Sequence, residues 1–365
     1  MKSSSVQETA VGSPWLEEVE LFFGRGVMMR RLAGLGGFAL LVILAPLVLD
    51  EIYHLELLFL CHYYVMLACS WDLLTGFTGN VNFGHAFFVG GAGFAGALLN
   101  KHLGLGPWLT LPAGALLAGL CGLLVGSFTL RLRGPYFAAV TFCFAALLYK
   151  WIMIRHEIFG GEEGLSGLDS LTPSPLGNYY LSALLMLGSV SGLYFLSLSP
   201  FGLALRSIGQ NESTSQASGI DTTRYKIIAF VISAGVAGVA GAMYGHAQMH
   251  VGPEMAHDSL SSLVLMMAVV GGMGSIIGPV IGAYLLTLVN ESLRFMGELR
   301  LLIYSAAVVL VILFAPKGLL DLSLRALRSL GLWRSEPVCD RARGKMFRPT
   351  DRDGRITGSR LEHGR

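Results

Sequence analysis

Charge is scarce in this chain. Only 14% of its 365 residues are Asp, Glu, Lys or Arg, against about 25% in a soluble globular domain. Most of those charges gather near the two ends and in a few short loops. The stretches between them are too apolar to be the surface of a water-soluble protein, in keeping with a mean hydropathy of +0.61. The solvent those stretches expect is lipid. The formal net charge of +2 says little, but its distribution says more.

Other absences exclude chemistries. No G-x-x-x-x-G-K-[ST] loop occurs, so the chain cannot hold a nucleotide in the P-loop manner. There is no nucleophile elbow and no H-E-x-x-H, so an enzyme reading has no residues to rest on. Cysteine is limited to Cys61, Cys69, Cys121, Cys143 and Cys339. The first four lie in apolar runs and read as small packing hydrophobes, and none is spaced for a metal. No catalytic, cofactor or metal residue is expected, and no nucleic-acid partner.

What is present is a series of long apolar runs. A spanning helix needs about 20 mostly apolar residues. Candidates are 33–49, 56–75, 82–100, 107–128, 135–154, 178–198, 226–247, 259–274, 277–291 and 299–315. This predicts an all-α polytopic transmembrane bundle of about ten spans, some of them glycine-broken. Arg25, Arg30 and Arg31 precede the first run and no small-residue cleavage site follows it, so it reads as an uncleaved first helix. Met28 is a candidate alternative start. The expected organisation is a cytoplasmic segment 1–32, a transmembrane domain 33–320, and a basic, disordered tail 321–365.

Lysine and arginine set the expected orientation. Arg25, Arg30 and Arg31 put the N-terminus inside, and Arg131 and Arg133 mark an inside turn. The loop 156–177 holds Glu157, Glu162, Glu163 and Asp169 without a cation of its own, and reads as outside. Arg206, Arg224 and Lys226 place 199–225 inside, and the Arg-rich tail after Pro316 does the same. Four spans, then two, then four satisfy these placements together. Lys101 and Arg294 then fall outside.

Glycine is abundant, with 47 residues. At Gly235, Gly238 and Gly241 it recurs every three residues, as close helix packing requires. Gly76 with Gly79, and Gly271, Gly272, Gly274 and Gly278, are denser than a continuous helix tolerates. They predict breaks whose ends face a pathway near the midplane.

The inside loop Pro200–Asp221 is long and carries helix punctuation. Asn211 suits an N-cap, Glu212 the positive end of a helix, and Gly219 a C-terminal cap. This predicts a short helix over 212–218 outside the bilayer. Its small side chains, Ser213, Thr214, Ser215, Ala217 and Ser218, suit close docking into another protein. The alternative is an ordinary capped surface helix.

This loop resembles the coupling loop of ABC-importer permeases, which has Glu-Ala-Ala, three residues, then Gly. From about 65 to 320 the chain is similar to the LivM family of branched-chain amino-acid importers. The resemblance is carried by Trp71–Gly76, Phe83–Phe88, Leu130–Ala138 with Thr141, and Gly160, Gly161 and Gly164. Tyr225–Phe230, Gly235–Gly241, Gly271–Pro279 and Pro316–Gly318 continue it. No piece is specific; their order and spacing are. Departures are Thr214-Ser215 where the family has Ala-Ala, Gln216 where it has an acidic residue, Asp72 where it often has Asn, and Asn82 where it often has Ser. The tail after 334 has no counterpart in the family.

The resemblance implies a permease in the bacterial inner membrane with both termini cytoplasmic. It implies pairing with a second, LivH-like permease, two cytoplasmic ATP-binding subunits and a periplasmic solute-binding protein. Leucine, isoleucine and valine would be the cargo. Gly202, Arg206, Asn211, Glu212, Ala217 and Gly219 would form the ATPase-coupling loop. Asp72, Gly79, Asn82, Gly84, His85, Tyr136, Thr141, Gly271, Gly272 and Gly274 are the candidate pathway residues. Asp72 is ionisable within a span, which marks function by default; it also fits an Asp bonded to a helix end, and His85 is a candidate partner. Alternatives remain open. They are a permease for urea, short amides or aromatic acids, an ion-coupled secondary transporter, or a structural membrane subunit.

Overall fold

The computed structural model describes residues 25–49, 51–130, 132, 134–296, 299, 305, 306, 308, 309, 311, 313 and 318–322, with side chains from Ala33 onward. Residues 1–24, Arg131, Arg133, most of the run 299–315 and the tail beyond Leu322 lie outside the described residues. The chain divides into the units Met1–Leu320 and Asp321–Arg365. The helices and strands named below all belong to the first unit.

Helices dominate. They are α1 (Arg25–Leu44), α2 (Ile52–Thr78), α3 (His85–Leu103), α4 (Pro107–Thr129), α5 (Pro135–Ile154), α6 (His156–Phe159), α7 (Pro175–Leu198), α8 (Pro200–Gln210), α9 (Glu212–Ala217), α10 (Thr222–Ala247), α11 (Asp258–Gly271) and α12 (Ile277–Ser292). Proline at the first turn of α4, α5, α7 and α8 suits a position whose N–H has no helical partner. A pair of two-residue strands, β1 (Leu165–Ser166) and β2 (His250–Val251), joins two loops antiparallel.

Among the described residues, five helices, α2, α4, α5, α7 and α10, are long and apolar enough to cross a membrane. The helical membrane architecture matches expectation; these lengths do not themselves carry the count to ten. The helix α3 has 19 residues, α11 has 14 and α12 has 16, close to or short of the roughly 20 that a span needs.

The helix α2 is the centre. Every residue from Val65 to Thr75 is buried, and α7, α8, α10, α11 and α12 pack around it. Such all-round burial explains why its apolar residues form no single stripe. The helix α10 lies against α3 and α4 through small residues. A Cβ on Gly238 would stand 2.7 Å from the Gly114 carbonyl oxygen, and one on Gly122 would stand 2.7 Å from the Ala234 Cβ. The glycine period in 235–241 is helix packing, as its spacing suggested.

Several helix ends differ from the sequence expectation, α1 running Arg25–Leu44 rather than 33–49 and α2 Ile52–Thr78 rather than 56–75, and two of the differences have a local cause. The helix α3 starts at His85 rather than 82, because the Asn82 side chain folds back to accept the Gly84 N–H at 2.8 Å. The helix α11 stops at Gly271 rather than 274, because Gly272 has φ 116 and ψ 102, outside the helical region.

Candidate functional site

The loop between α7 and α10 holds two helices. The second, α9, sits where the punctuation placed it. Asn211 Oδ1 accepts the Thr214 N–H at 3.0 Å. The other end closes with the Gly219 N–H on the Gln216 carbonyl at 2.9 Å and the Ile220 N–H on the Ser215 carbonyl at 3.1 Å. That pairing is a Schellman cap, with Gly219 at φ +86 supplying the left-handed residue. Only Ser215 is buried on α9; Ser213, Thr214, Gln216 and Ala217 face outward.

The first helix of the loop, α8, escaped the sequence reading. Its signals are the Ser199-Pro200 start and an apolar face at Leu205 and Ile208, both buried. Gly202 is buried in its first turn. Half-buried Arg206 places its guanidinium over the Phe77 ring, 4.8 Å from the centroid. Ser207 and Ser215 hydroxyls join α8 to α9 at 2.8 Å.

Glu212 holds α9 to α10. Lys226 Nζ lies 2.7 Å from Glu212 Oε1, with the Lys226 side chain 4% exposed and that of Glu212 30% exposed. The Thr222 hydroxyl donates to the same carboxylate oxygen at 3.3 Å and accepts from Gln216 Nε2 at 2.8 Å. Nothing in the local sequence announced this ion pair, since its members lie fourteen positions apart on different helices.

The two glycine-dense segments are breaks, and both are fastened to α2. Residues 79–84 run between α2 and α3. The Trp71 indole donates to the Asn82 carbonyl at 2.7 Å, the Thr75 hydroxyl accepts the Asn82 N–H at 3.3 Å, and the Thr141 hydroxyl accepts the Phe83 N–H at 3.2 Å. Residues 272–276 run between α11 and α12. There the Gly274 N–H donates to Asp72 Oδ1 at 2.8 Å. Gly76 makes this approach possible, because a Cβ on it would overlap Asp72 Oδ1 and lie 2.6 Å from the Gly274 nitrogen.

Of the candidate pathway residues, the structure gathers Asp72, Gly271, Gly272 and Gly274 at one break, and Gly79, Asn82, Gly84, His85 and Thr141 at the other. Tyr136 is not with them; it stands 73% exposed at the start of α5. The proposed Asp72–His85 partnership is not formed. His85 Nε2 pairs with the Ser70 hydroxyl at 3.1 Å, while Asp72 serves the break backbone. Asp72 thus accepts a backbone N–H of the 272–276 segment, the kind of bond that a buried carboxylate needs. A large cavity, about 670 Å³, lies elsewhere, among Phe87, Ala95, Leu117, Leu147 and Trp151 of α3, α4 and α5. It is apolar, and none of the candidate residues lines it.

The pattern of the family described as branched-chain amino acid transport system / permease component matches residues 53–315. The high-affinity branched-chain amino acid transport permease LivM of Salmonella typhimurium is 30% identical over 289 residues, covering 71% of this chain and 68% of its own. The probable branched-chain amino acid transport permease LivH of Methanocaldococcus jannaschii is 26% identical, covering 70% of this chain and 88% of its own. A shorter match, 28% identical over 34% of this chain and 41% of its own, is the ribose import permease RbsC of Haemophilus influenzae. No solved structure matches.

Proposed function

The chain belongs to the branched-chain amino acid transport permease family, and on that premise we propose that it forms part of the substrate pathway of an ATP-driven importer for leucine, isoleucine and valine. It is a multi-pass inner-membrane subunit, not itself an enzyme. In this proposal a LivH-like permease pairs with it, two cytoplasmic ATP-binding subunits drive it, and a periplasmic binding protein delivers the amino acid. Both termini lie in the cytoplasm.

One observation carries the coupling role. The segment 200–221 presents a short helix, capped at both ends and lined outward by small side chains, on a rigid base of buried contacts. A surface of that kind accepts a partner at close range and passes its displacement into the bundle. Closure of the ATP-binding subunits would push on this loop. The two breaks packed on α2, where continuous helix gives way to backbone held by side chains, would be the segments that switch.

The reading is tested by reconstituting the complete complex in proteoliposomes with its binding protein. Uptake of labelled leucine should require ATP hydrolysis and persist when ion gradients are dissipated. Uptake that survives without ATP but collapses with the gradient would establish a secondary transporter instead. Calorimetric titration of the binding protein with leucine, a short amide, urea and an aromatic acid names the cargo.

Gly219 supplies a second check. Space around it is open, with nothing within 4 Å of the point where a Cβ would stand. Gly219→Val is therefore penalised through its backbone alone, by about 1–2 kcal/mol for a left-handed residue. Substrate imported per ATP hydrolysed should fall several-fold. Gly219→Asn tolerates the left-handed region and should retain most of that ratio.

A further inference from the structure

Phe77 was not singled out by any sequence feature. It lies one residue before the end of α2 and is 2% exposed. The cytoplasmic helix α8 holds it in two ways. The Arg206 guanidinium covers its ring at 4.8 Å. One turn further on, the α8 backbone comes so close that a Cβ on Gly209 would overlap the Phe77 carbonyl oxygen. Just upstream on the same helix, Asp72 accepts the Gly274 N–H, Trp71 donates to the Asn82 carbonyl, and Thr75 accepts the Asn82 N–H. The last two turns of α2 thus touch the loop at one end and both breaks at the other.

We propose that Phe77 is a positioning residue for transport: its ring, gripped by Arg206, carries displacement of α8 into the end of α2 and so to the breaks at 79–84 and 272–276. This rests on the proposed function, because it takes the loop as the segment that a motor displaces. The physical argument concerns slack. A packed core transmits movement because it has no free volume, and Gly209 removes the gap that any side chain would leave. A cation over an aromatic face is attracted by the ring quadrupole, more strongly where water is excluded. An aliphatic side chain fills the same space without that attraction.

The test separates grip from filling. Phe77→Leu keeps an apolar side chain of similar bulk but loses the ring face. Phe77→Tyr keeps the face, and Arg206→Gln loses the cation. In the full complex in proteoliposomes, the quantity read is substrate imported per ATP hydrolysed. Phe77→Leu and Arg206→Gln should each lower it about two- to thirtyfold, as loss of a cation–π contact to a half-buried guanidinium implies. Phe77→Tyr should stay near the parent value. The ring–guanidinium contact is lost in both singles, so their losses should not add in the double variant. Thermal unfolding in detergent reports packing separately. If Phe77→Leu does not assemble, Arg206→Gln against Phe77→Tyr still decides. A parent-like ratio for Arg206→Gln or for an assembled Phe77→Leu, an equal loss in Phe77→Tyr, or additive losses in the double variant would overturn the inference. Failure of the coupled-importer reading itself would appear earlier, as ATP-independent uptake by the unsubstituted complex.

Discussion

Gly76→Val leaves no correctly assembled permease in the membrane. The first atom of any side chain at 76 would overlap Asp72 Oδ1 and crowd the Gly274 nitrogen, so the Asp72–Gly274 bond and the new side chain cannot coexist. Two penalties then combine. Overpacking a filled interior costs about 1–3 kcal/mol, and stranding a buried carboxylate without its N–H costs about 1.5–3 kcal/mol more. Against a typical net stability of about 5–15 kcal/mol, that is a large share. The neighbouring segment has no room to retreat, since a Cβ on Gly271 would already stand 3.0 Å from the Gly282 nitrogen. Size-exclusion profiles of detergent extracts should show the monodisperse peak lost for Gly76→Val. Gly188→Val is the control: Gly188 lies on α7 with nothing within 4 Å, and should extract like the parent. A normal profile for Gly76→Val would mean that the 272–276 segment does not pack on α2.

Legibility in the sequence tracks the range of the forces involved. The helix α9 was legible because a capped helix is written in adjacent residues: Asn211 supplies the acceptor and Gly219 the left-handed turn. Both breaks were legible as glycine density. Where the breaks dock was not, because the Asp72–Gly274 bond spans 202 positions and no local pattern encodes it. The same limit applies to the partner of His85: the sequence offered Asp72, and the packed rotation of α2 places Ser70 there instead. The helix α8 was overlooked for a different reason. Eleven residues with a narrow apolar face look, in a chain this hydrophobic, like a loop between spans. The central place of α2 left a faint trace in the sequence, a run whose polar members Ser70, Asp72 and Thr75 lie among apolar neighbours with no outward face to occupy.

Glu212→Gln should destabilise the loop 200–221 more than Lys226→Met does, although each breaks the same ion pair. The asymmetry comes from burial. Lys226 is 4% exposed and Glu212 is 30% exposed. Neutralising Glu212 leaves the ammonium, 4% exposed, without its counter-charge, and losing one partner of an ion pair costs more the more deeply the remaining charge is buried. Replacing Lys226 with Met removes that ammonium altogether, keeps an unbranched apolar stem, and leaves a carboxylate that solvent and the Thr222 hydroxyl can still serve. The double variant Glu212→Gln/Lys226→Met should recover much of the loss, because no charge is then buried alone and the Gln amide keeps a bond to Thr222. Unfolding midpoints of the solubilised complex should therefore rank Glu212→Gln lowest, Lys226→Met above it, and the double variant above Glu212→Gln. A Lys226→Met midpoint below that of Glu212→Gln would show that water reaches Lys226 and that the pair is a surface contact. The ranking bears on mechanism as well as on stability. This pair is a charged link between α9, the docking face in the proposed function, and α10, which packs directly on α2, α3 and α4. Under the proposed coupling role, a loop anchored there would move with the bundle, and one that has lost the anchor would yield under load and let hydrolysis proceed without import.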